Sequence, residues 1–520
     1  MKLNYKRTLC VGFAFFLICL FWQSYDNTIP LILTNRFGMS QTWSGFIMAL
    51  DNILALFMLP LFGSISDRCR SRFGRRTPFI VIGTVCAVVA YLALAFVDAG
   101  QLSKLKDISA IDDEDALETI YRDQSRETLM TPDGDSFVLS ELYTEEEFKA
   151  IRSTLTDASG KTSTNPDYTN YVVPARQGAA GAITQASPAG LILFIIILML
   201  VLVSMATFRS PAVALMPDVT IKPLRSKANA IINLMGTAGG ISVLALGMIF
   251  GTSAVKNSMM SFTTYYGVIC GIMILALVLF LLTVREPRFV KEMHEESARF
   301  GIKEDADDDA ASSGDRRLSG EERKSLIFIL ISIVLWFFGY NAVTSKYSVY
   351  ATTILHKDYN LTLIIAQGAA IVSYLPVGII ASKLGRKKTI LGGIVILAIA
   401  FLGAGFMRAE GSTMVMNVLF ALAGIGWATI NVNSFPMVVE MCSGADVGKY
   451  TGFYYTASMA AQVATPIVSG FLMDKLGMTV LFPYAFVFVA IAFVTMLFVK
   501  HGDSRPEAKK GLEALDQDMD

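Results

Sequence analysis

The sequence predicts an all-α membrane protein, twelve transmembrane helices arranged as two six-helix bundles, and three observations carry that prediction. The 520 residues are 53% hydrophobic and 17% charged, with a mean hydropathy of +0.51, whereas a soluble domain carries about 25% charged residues. Apolar runs of about 20 residues recur along the chain, the length a hydrocarbon core of about 30 Å asks of a helix. A glycine-bracketed basic loop, GSISDRCRSRFGRR from Gly63 to Arg76, returns in shortened form as GIIASKLGRKK from Gly378 to Lys388, each time between two apolar runs.

The first six runs lie near 9–33, 43–63, 78–97, 189–209, 228–250 and 262–284. The second six lie near 325–345, 361–382, 389–407, 413–437, 450–472 and 479–499. Each must be a helix, because backbone groups in lipid have to bond within their own segment. Pro60, Pro211, Pro376 and Pro466 fall inside runs, where neighbouring helices can cover the break. The first run is too long for a signal-peptide core and has no small-residue cleavage site, so it is expected to be a retained helix. Trp43, at the start of the second run, suits an interface anchor.

Orientation follows the positive residues. Lys2, Lys6 and Arg7 precede the first run, and five Arg sit in the loop after the second. Lys222, Arg225 and Lys227 follow the fourth, and Lys383, Arg386, Lys387 and Lys388 follow the eighth. Alternate loops are poor in Lys and Arg, so both termini are expected in the cytoplasm of a multi-pass protein of the cell membrane.

Two insertions break the rhythm. Residues 98–188 carry 17 acidic and 8 basic residues on the outer side. This segment reads either as a disordered acidic loop or as a small cap over the entrance, with one capping box at Thr144 and Glu147. Residues 285–324 contain the acidic run Glu304–Asp309 and read as a flexible cytoplasmic linker. The expected division is therefore 1–97 with 189–284 as the first bundle, 325–500 as the second, and 501–520 as a cytoplasmic tail. The interval from Gly63 to Asp218 is 93 residues longer than that from Gly378 to Glu440, close to the 91 residues of the outer insertion. With the insertion set aside, the halves repeat.

Composition also excludes. Zero formal net charge gives no case for nucleic-acid binding. Cys10, Cys19, Cys86 and Cys270 fall in apolar runs and Cys69 and Cys442 in loops, with no CxxC spacing, so neither a disulfide framework nor a zinc site is indicated. His294, His356 and His501 all lie outside the runs, which argues against a histidine proton switch in the membrane. No nucleophile–His pair, metal cluster or phosphate loop lies in the spans, so an enzyme is not expected, and no cofactor beyond a coupling ion.

The loop Gly63–Arg76 resembles the signature between helices two and three of the major facilitator superfamily. Gly63 allows close helix contact, Asp67 sits at a helix end, and the Arg cluster can pair with carboxylates to close an inner gate. Gly63, Asp67, Arg72, Gly74, Arg75, Arg76, Asp218, Gly378, Arg386 and Glu440 are the expected gate elements. Arg209, at the inner end of the fourth run, is either a charge partner of that loop or a positive-inside anchor.

The run SDRCRSRFGRRTPFI (Ser66–Ile80) is similar to the same loop of sucrose–proton symporters, as is SPAVALMPDVTIKPLRSKANAIIN (Ser210–Asn233) to the segment between their helices four and five. GKYTGFYYTASMAAQVATPIVSGFLMD (Gly448–Asp474) resembles the wider glycoside–cation symporters. The resemblance implies a sugar or glycoside carried with a cation. It departs at Leu202, where the plant relatives carry an acidic residue in helix four, so their coupling site does not transfer.

Symport needs an ionisable group in the membrane, and intramembrane carboxylates are functional by default. Asp26 lies about seven residues before the outer end of the first run and Asp51 about eight into the second, which puts both at similar depth. They are the expected cation-coupling pair, for a proton or a sodium ion. Sugar recognition calls for aromatic faces and amides. Trp336, Tyr340 and Asn341 in the seventh run and Trp427, Asn431 and Asn433 in the tenth supply both. Trp22, Gln23 and Tyr25, with Gln367 and Gln462, are further candidates. Trp427 and Asn431, four apart, share a helix face.

The expected protein is a monomeric importer of a disaccharide or small glycoside by symport, working by rocking of the two halves. Its rivals are an exporter of drugs or metabolites working by cation exchange, and a membrane receptor or scaffold acting through the acidic insertion.

Overall fold

The computed structural model describes residues 3–156, 160, 162–221, 224–300, 319–439 and 447–502. Twelve long helices run through them. The first six are α1 (Tyr5–Asn35), α2 (Gln41–Asp67), α3 (Thr77–Lys104), α4 (Ala189–Asp218), α5 (Arg225–Phe250) and α6 (Thr263–Thr283). The second six are α7 (Gly320–Tyr350), α8 (Tyr359–Leu384), α9 (Arg386–Gly405), α10 (Thr413–Val439), α11 (Val447–Leu476) and α12 (Leu481–Leu497). Eleven are long and apolar enough over their described residues to cross a membrane, and α8 is apolar from Tyr359 to Tyr374.

Each half has its own core. Phe21, Tyr25, Tyr91, Phe208, Tyr266 and Met273 belong to the first, and Trp336, Tyr347, Phe401, Phe420, Phe482 and Met496 to the second. Lipid tails are as apolar as leucine, so close packing rather than water exclusion holds such helices together. Small residues mark the contacts: Gly393 of α9 and Gly426 of α10 each face main-chain atoms of the other helix, where a side chain would collide.

The acidic insertion is folded. Because α3 continues to Lys104, it begins at residue 105 rather than at 98. Helices at Glu114–Gln124 and Val173–Ala186 and two short β-hairpins (β1 Thr128–Met130 with β2 Ser136–Val138; β3 Thr154–Thr156 with β4 Thr162–Thr164) surround a core of Leu117, Ile120, Phe148, Tyr168 and Val172. The capping box at Thr144 and Glu147 forms as the spacing requires. The root is held by a buried ion pair, Arg36 Nε to Asp98 at 3.4 Å. Gln177 also donates to Asn35 at 2.8 Å, tying the insertion to the α1–α2 turn.

The stretch expected to be a flexible linker starts as a helix instead, Glu286–Arg299, and α7 begins inside it behind a second capping box at Ser319 and Glu322. Arg7 at the start of α1 reaches Glu292 at 3.6 Å and Glu296 at 3.2 Å on that helix, which fastens it beneath the first half. The run Glu304–Asp309, Cys442, Glu440 and the tail from 503 onward lie outside the described residues.

Candidate functional site

Where the two halves meet, one cavity is lined by α1, α2 and α4 on one side and by α7 and α11 on the other. Helical spacing puts each contributor there. Trp22 and Asp26 are one turn apart on α1. Met48, Asp51 and Asn52 fall at i, i+3 and i+4 on α2, as do Asn341, Thr344 and Ser345 on α7, and Gln462 and Pro466 on α11 are again four apart. Arg209 of α4 completes the lining, its guanidinium over the Trp22 ring at 5.5 Å.

The two walls differ in chemistry. The first half supplies two carboxylates, Asp26 and Asp51, and one cation, Arg209. The second half supplies no charge there, only Pro466 and the uncharged polar groups Asn341, Thr344, Ser345 and Gln462. Asp51 accepts a hydrogen bond from the neighbouring Asn52 amide at 2.7 Å, which orients its carboxylate. Three charged groups at one place in the membrane are expensive to keep, and they are tolerated where they line a polar cavity and can answer one another.

Arg209 thus sits elsewhere than expected. The apolar run ends near residue 209, which puts Arg209 at the inner end of helix four only if the helix ends with it. The helix runs on to Asp218, about two and a half turns further, which leaves Arg209 in the cavity wall and well short of the carboxylate that Arg75 and Arg76 hold.

The proposed sugar contacts divide. Trp22, Asn341 and Gln462 line the cavity. Tyr25 does not: one residue from Asp26, it points about 100° away into the core of the first half, beside Phe21 and Trp22. Trp336 is fully buried in the other core. The buried Asn433 spends its amide on the Thr429 carbonyl one turn back, at 2.8 Å. Tyr340 and Trp427 stack on each other with centroids 3.7 Å apart and planes 3° off parallel, so each ring has one face occupied. Asn431 is exposed on α10. Gln367 donates to Gln23, which in turn donates to Asn27 at 3.2 Å, an amide chain that bridges α8 and α1 beside Gly240. Thr344, Ser345 and Asn52 were missed, although i+3 and i+4 spacing from Asn341 and adjacency to Asp51 would have pointed to them.

The gate elements form a separate cluster at the opposite end of the first half from the insertion. Arg75 holds Asp218 with two bonds, Nε at 3.1 Å and Nη2 at 2.7 Å. Arg76 reaches Asp218 at 2.8 Å and also pairs with Asp67 and with Ser66. The buried carboxylate of Glu286 accepts from the backbone N–H groups of Arg75 (2.7 Å), Arg76 (2.9 Å) and Thr77 (2.8 Å), which are unpaired donors at the start of α3. Gly74 has a φ of +106°, and the Glu286 side chain fills the space a Cβ would take, so only glycine fits there. Gly63 packs against Ser210 of α4. Arg72 stands outside this network, exposed over the Phe73 ring at 4.7 Å. All of these bonds stay within the first half and fasten α2, α3, α4 and the Glu286–Arg299 helix together. In the second half, Gly378 lies within α8 about two turns before its end, and Arg386 begins α9 just after the Gly385 turn.

A family model described as Major Facilitator Superfamily matches residues 178–373 and 358–517. The chain belongs to this superfamily of membrane transporters. A second model, described as MFS/sugar transport protein, matches residues 10–105 of this major facilitator protein. Sucrose transport protein SUC4 of Arabidopsis thaliana is 39% identical over 57 residues, 11% of either chain. MFS-type transporter ppzB of Metarhizium rileyi is 27% identical over 124 residues, 24% of this chain and 25% of that one. Neither match spans more than a quarter of the relative's own length. Among solved structures, a D-xylose-proton symporter superposes with a TM-score of 0.61 at 14% identity, covering 96% of this chain and 99% of that one. The inward open xylose transporter XylE from E. coli gives 0.58 at 14% identity, covering 98% of each. The fold is therefore that of a major facilitator transporter over the whole length.

Proposed function

We propose that this major facilitator protein imports a disaccharide or small glycoside together with a proton or a sodium ion by alternating access. The observation that carries the reading is the two-walled cavity. Asp26 and Asp51 offer a site whose charge a cation changes, and Arg209 stands close enough to respond to that change. Asn341, Thr344, Ser345 and Gln462 offer donors and acceptors without net charge, the chemistry that suits sugar hydroxyls. The partial likeness to a protein named for sucrose transport and the match to a sugar-transport family model support the substrate class. On this reading, protonating or metallating the carboxylate pair removes negative charge from the cavity that Arg209 shares with it. The cavity then holds the sugar with a different charge balance in the loaded and empty states, and that difference links the two fluxes.

The test is a panel of sugars on purified protein in liposomes, with internal pH and sodium followed by dyes. Sugar-stimulated entry of one of the two cations is expected. Sugar flux that ignores both gradients, and is unaltered in Asp26→Asn and Asp51→Asn, would sink the coupling assignment.

A further inference from the structure

The acidic insertion does not simply cover the first half; it reaches across to the second. The turn between β1 and β2 lies against the turn between α11 and α12. Met478 N–H donates to the Pro132 carbonyl at 2.6 Å. Gly134 (φ +99°) and Gly477 (φ +84°) pass so closely that a Cβ on Gly477 would strike the main chain at Asp133. This contact joins a segment rooted on α1–α3 to the outer end of the other bundle, taking "outer" as the insertion side.

Directly beneath it lies a second joint between the halves. The Asp474 carboxylate, near the end of α11, accepts from Gln41 N–H at 2.8 Å, from Thr42 N–H at 2.7 Å and from the Thr42 hydroxyl. It therefore caps the start of α2 in the opposite half, where unpaired N–H groups and the helix dipole favour a negative charge. Lys346 of α7, fully buried, donates to the Gln41 carbonyl at 2.8 Å. Gly45 and Gly470 let α2 and α11 come close enough for this, each backed by main-chain atoms of the other helix. Thr131, Pro132, Gln41, Asp474, Gly477 and Met478 all border one crevice, so the two joints are neighbours.

We propose that the insertion and this polar knot together act as a single clamp that holds the outer side shut, with Asp474 as its release point. The same helices carry the clamp and the cavity. On α11, Gln462 and Pro466 line the cavity while Gly470 and Asp474 carry the knot, each four residues after the last. On α7, Ser345 lines the cavity next to Lys346. On α2, Asp51 and Met48 lie below Gly45 and Gln41. Opening to the outside moves α2 away from α7 and α11, so Asp474 must leave three donors and Met478 must leave Pro132 in the same motion. The insertion is thereby a conformational element of the transporter.

The test is pulsed electron–electron distance measurement on full-length protein in lipid nanodiscs, with spin labels on Lys256→Cys and Glu410→Cys in a background free of native cysteine. Both positions are exposed, on outer turns of opposite halves. Asp474→Ala should raise the population at the longer separation about fivefold, the effect of losing a helix cap. Gly477→Val, which forces the hairpin off the α11–α12 turn, should move the distribution the same way. Melting temperature and monodispersity of each variant establish that it is folded. Unchanged distances in both folded variants overturn the clamp. A change in one variant alone overturns the claim that insertion and knot act together.

Discussion

The two halves repeat one architecture and line one cavity, yet they contribute opposite chemistry to it. The wall from α1, α2 and α4 holds Asp26, Asp51 and Arg209, while the wall from α7 and α11 holds Asn341, Thr344, Ser345 and Gln462. Charged groups in a membrane need one another and fixed helix ends around them, and the first half has both, with the Arg75, Arg76, Asp218 and Glu286 cluster bracing α3 and α4 at their far ends. Uncharged polar side chains ask for no such bracing. The comparison teaches that two repeats of one architecture can differ in the charge they bring to a shared cavity; on the function proposed above, the first half would handle the ion and the second the solute.

The largest effect that would break this comparison comes from the charged wall. Asp51→Asn is expected to abolish cation-driven accumulation, a loss of at least about tenfold in the concentration ratio reached, and Asp26→Asn to do so to a similar degree. Counterflow exchange of labelled sugar, which needs no gradient, should survive. If counterflow is lost equally while the protein stays folded, the carboxylates bind solute and the division between walls fails.

Next comes the neutral wall. Asn341→Ala and Gln462→Ala should each raise the KM for sugar about five- to tenfold, the loss of a hydrogen bond worth about 1–1.5 kcal/mol. The number of cations moved per sugar should not change. An altered stoichiometry in either variant would show that the second half handles the ion as well.

A smaller effect concerns the bracing. Glu286→Gln should lower the melting temperature by a few degrees, because an amide replaces a buried carboxylate that takes three backbone N–H bonds, a cost of about 1–3 kcal/mol. Lys388, at the start of α9 in the corresponding loop of the second half, is exposed, so Lys388→Ala there should leave the melting temperature within a degree or so of wild type.

The smallest is a pH effect in the insertion. The Thr144 backbone and hydroxyl hold the Glu147 carboxyl below its ordinary range, and Lys149 does the same for Glu118. A carboxylate with a lowered folded-state pKa stabilises above its unfolded value, about 4.3, and that stabilisation fades as pH falls through the folded value. Amide exchange at residues 144–149, relative to intrinsic rates, should therefore accelerate below about pH 4 and stay flat from pH 5 to 8. Equal acceleration in Glu147→Gln would remove the carboxylate from the explanation.

Much of this was legible in the chain, and for local reasons. Apolar length alone places twelve helices, and the spacing Thr144-x-x-Glu147 specifies a helix start. Asp26 and Asp51 stood out because a carboxylate inside an apolar run has few innocent explanations. Tyr25 and Trp336 were misjudged because residue type cannot tell a cavity face from a core face on a helix that is apolar all round. Arg209 was misjudged because an apolar run ends before its helix does.

By itself, then, the sequence determined the class, the spans, the repeated loop and the two acidic positions, since each follows from the solvent that a segment of given length and charge will accept. Only the tertiary structure decided that Arg209 joins those carboxylates, that Tyr340 and Trp427 cover each other, that Glu286 caps α3 and that Asp474 caps α2 across the halves. Those pairings join residues tens to hundreds of positions apart, and which of them meet depends on how the helices rotate and pack, which no local pattern encodes.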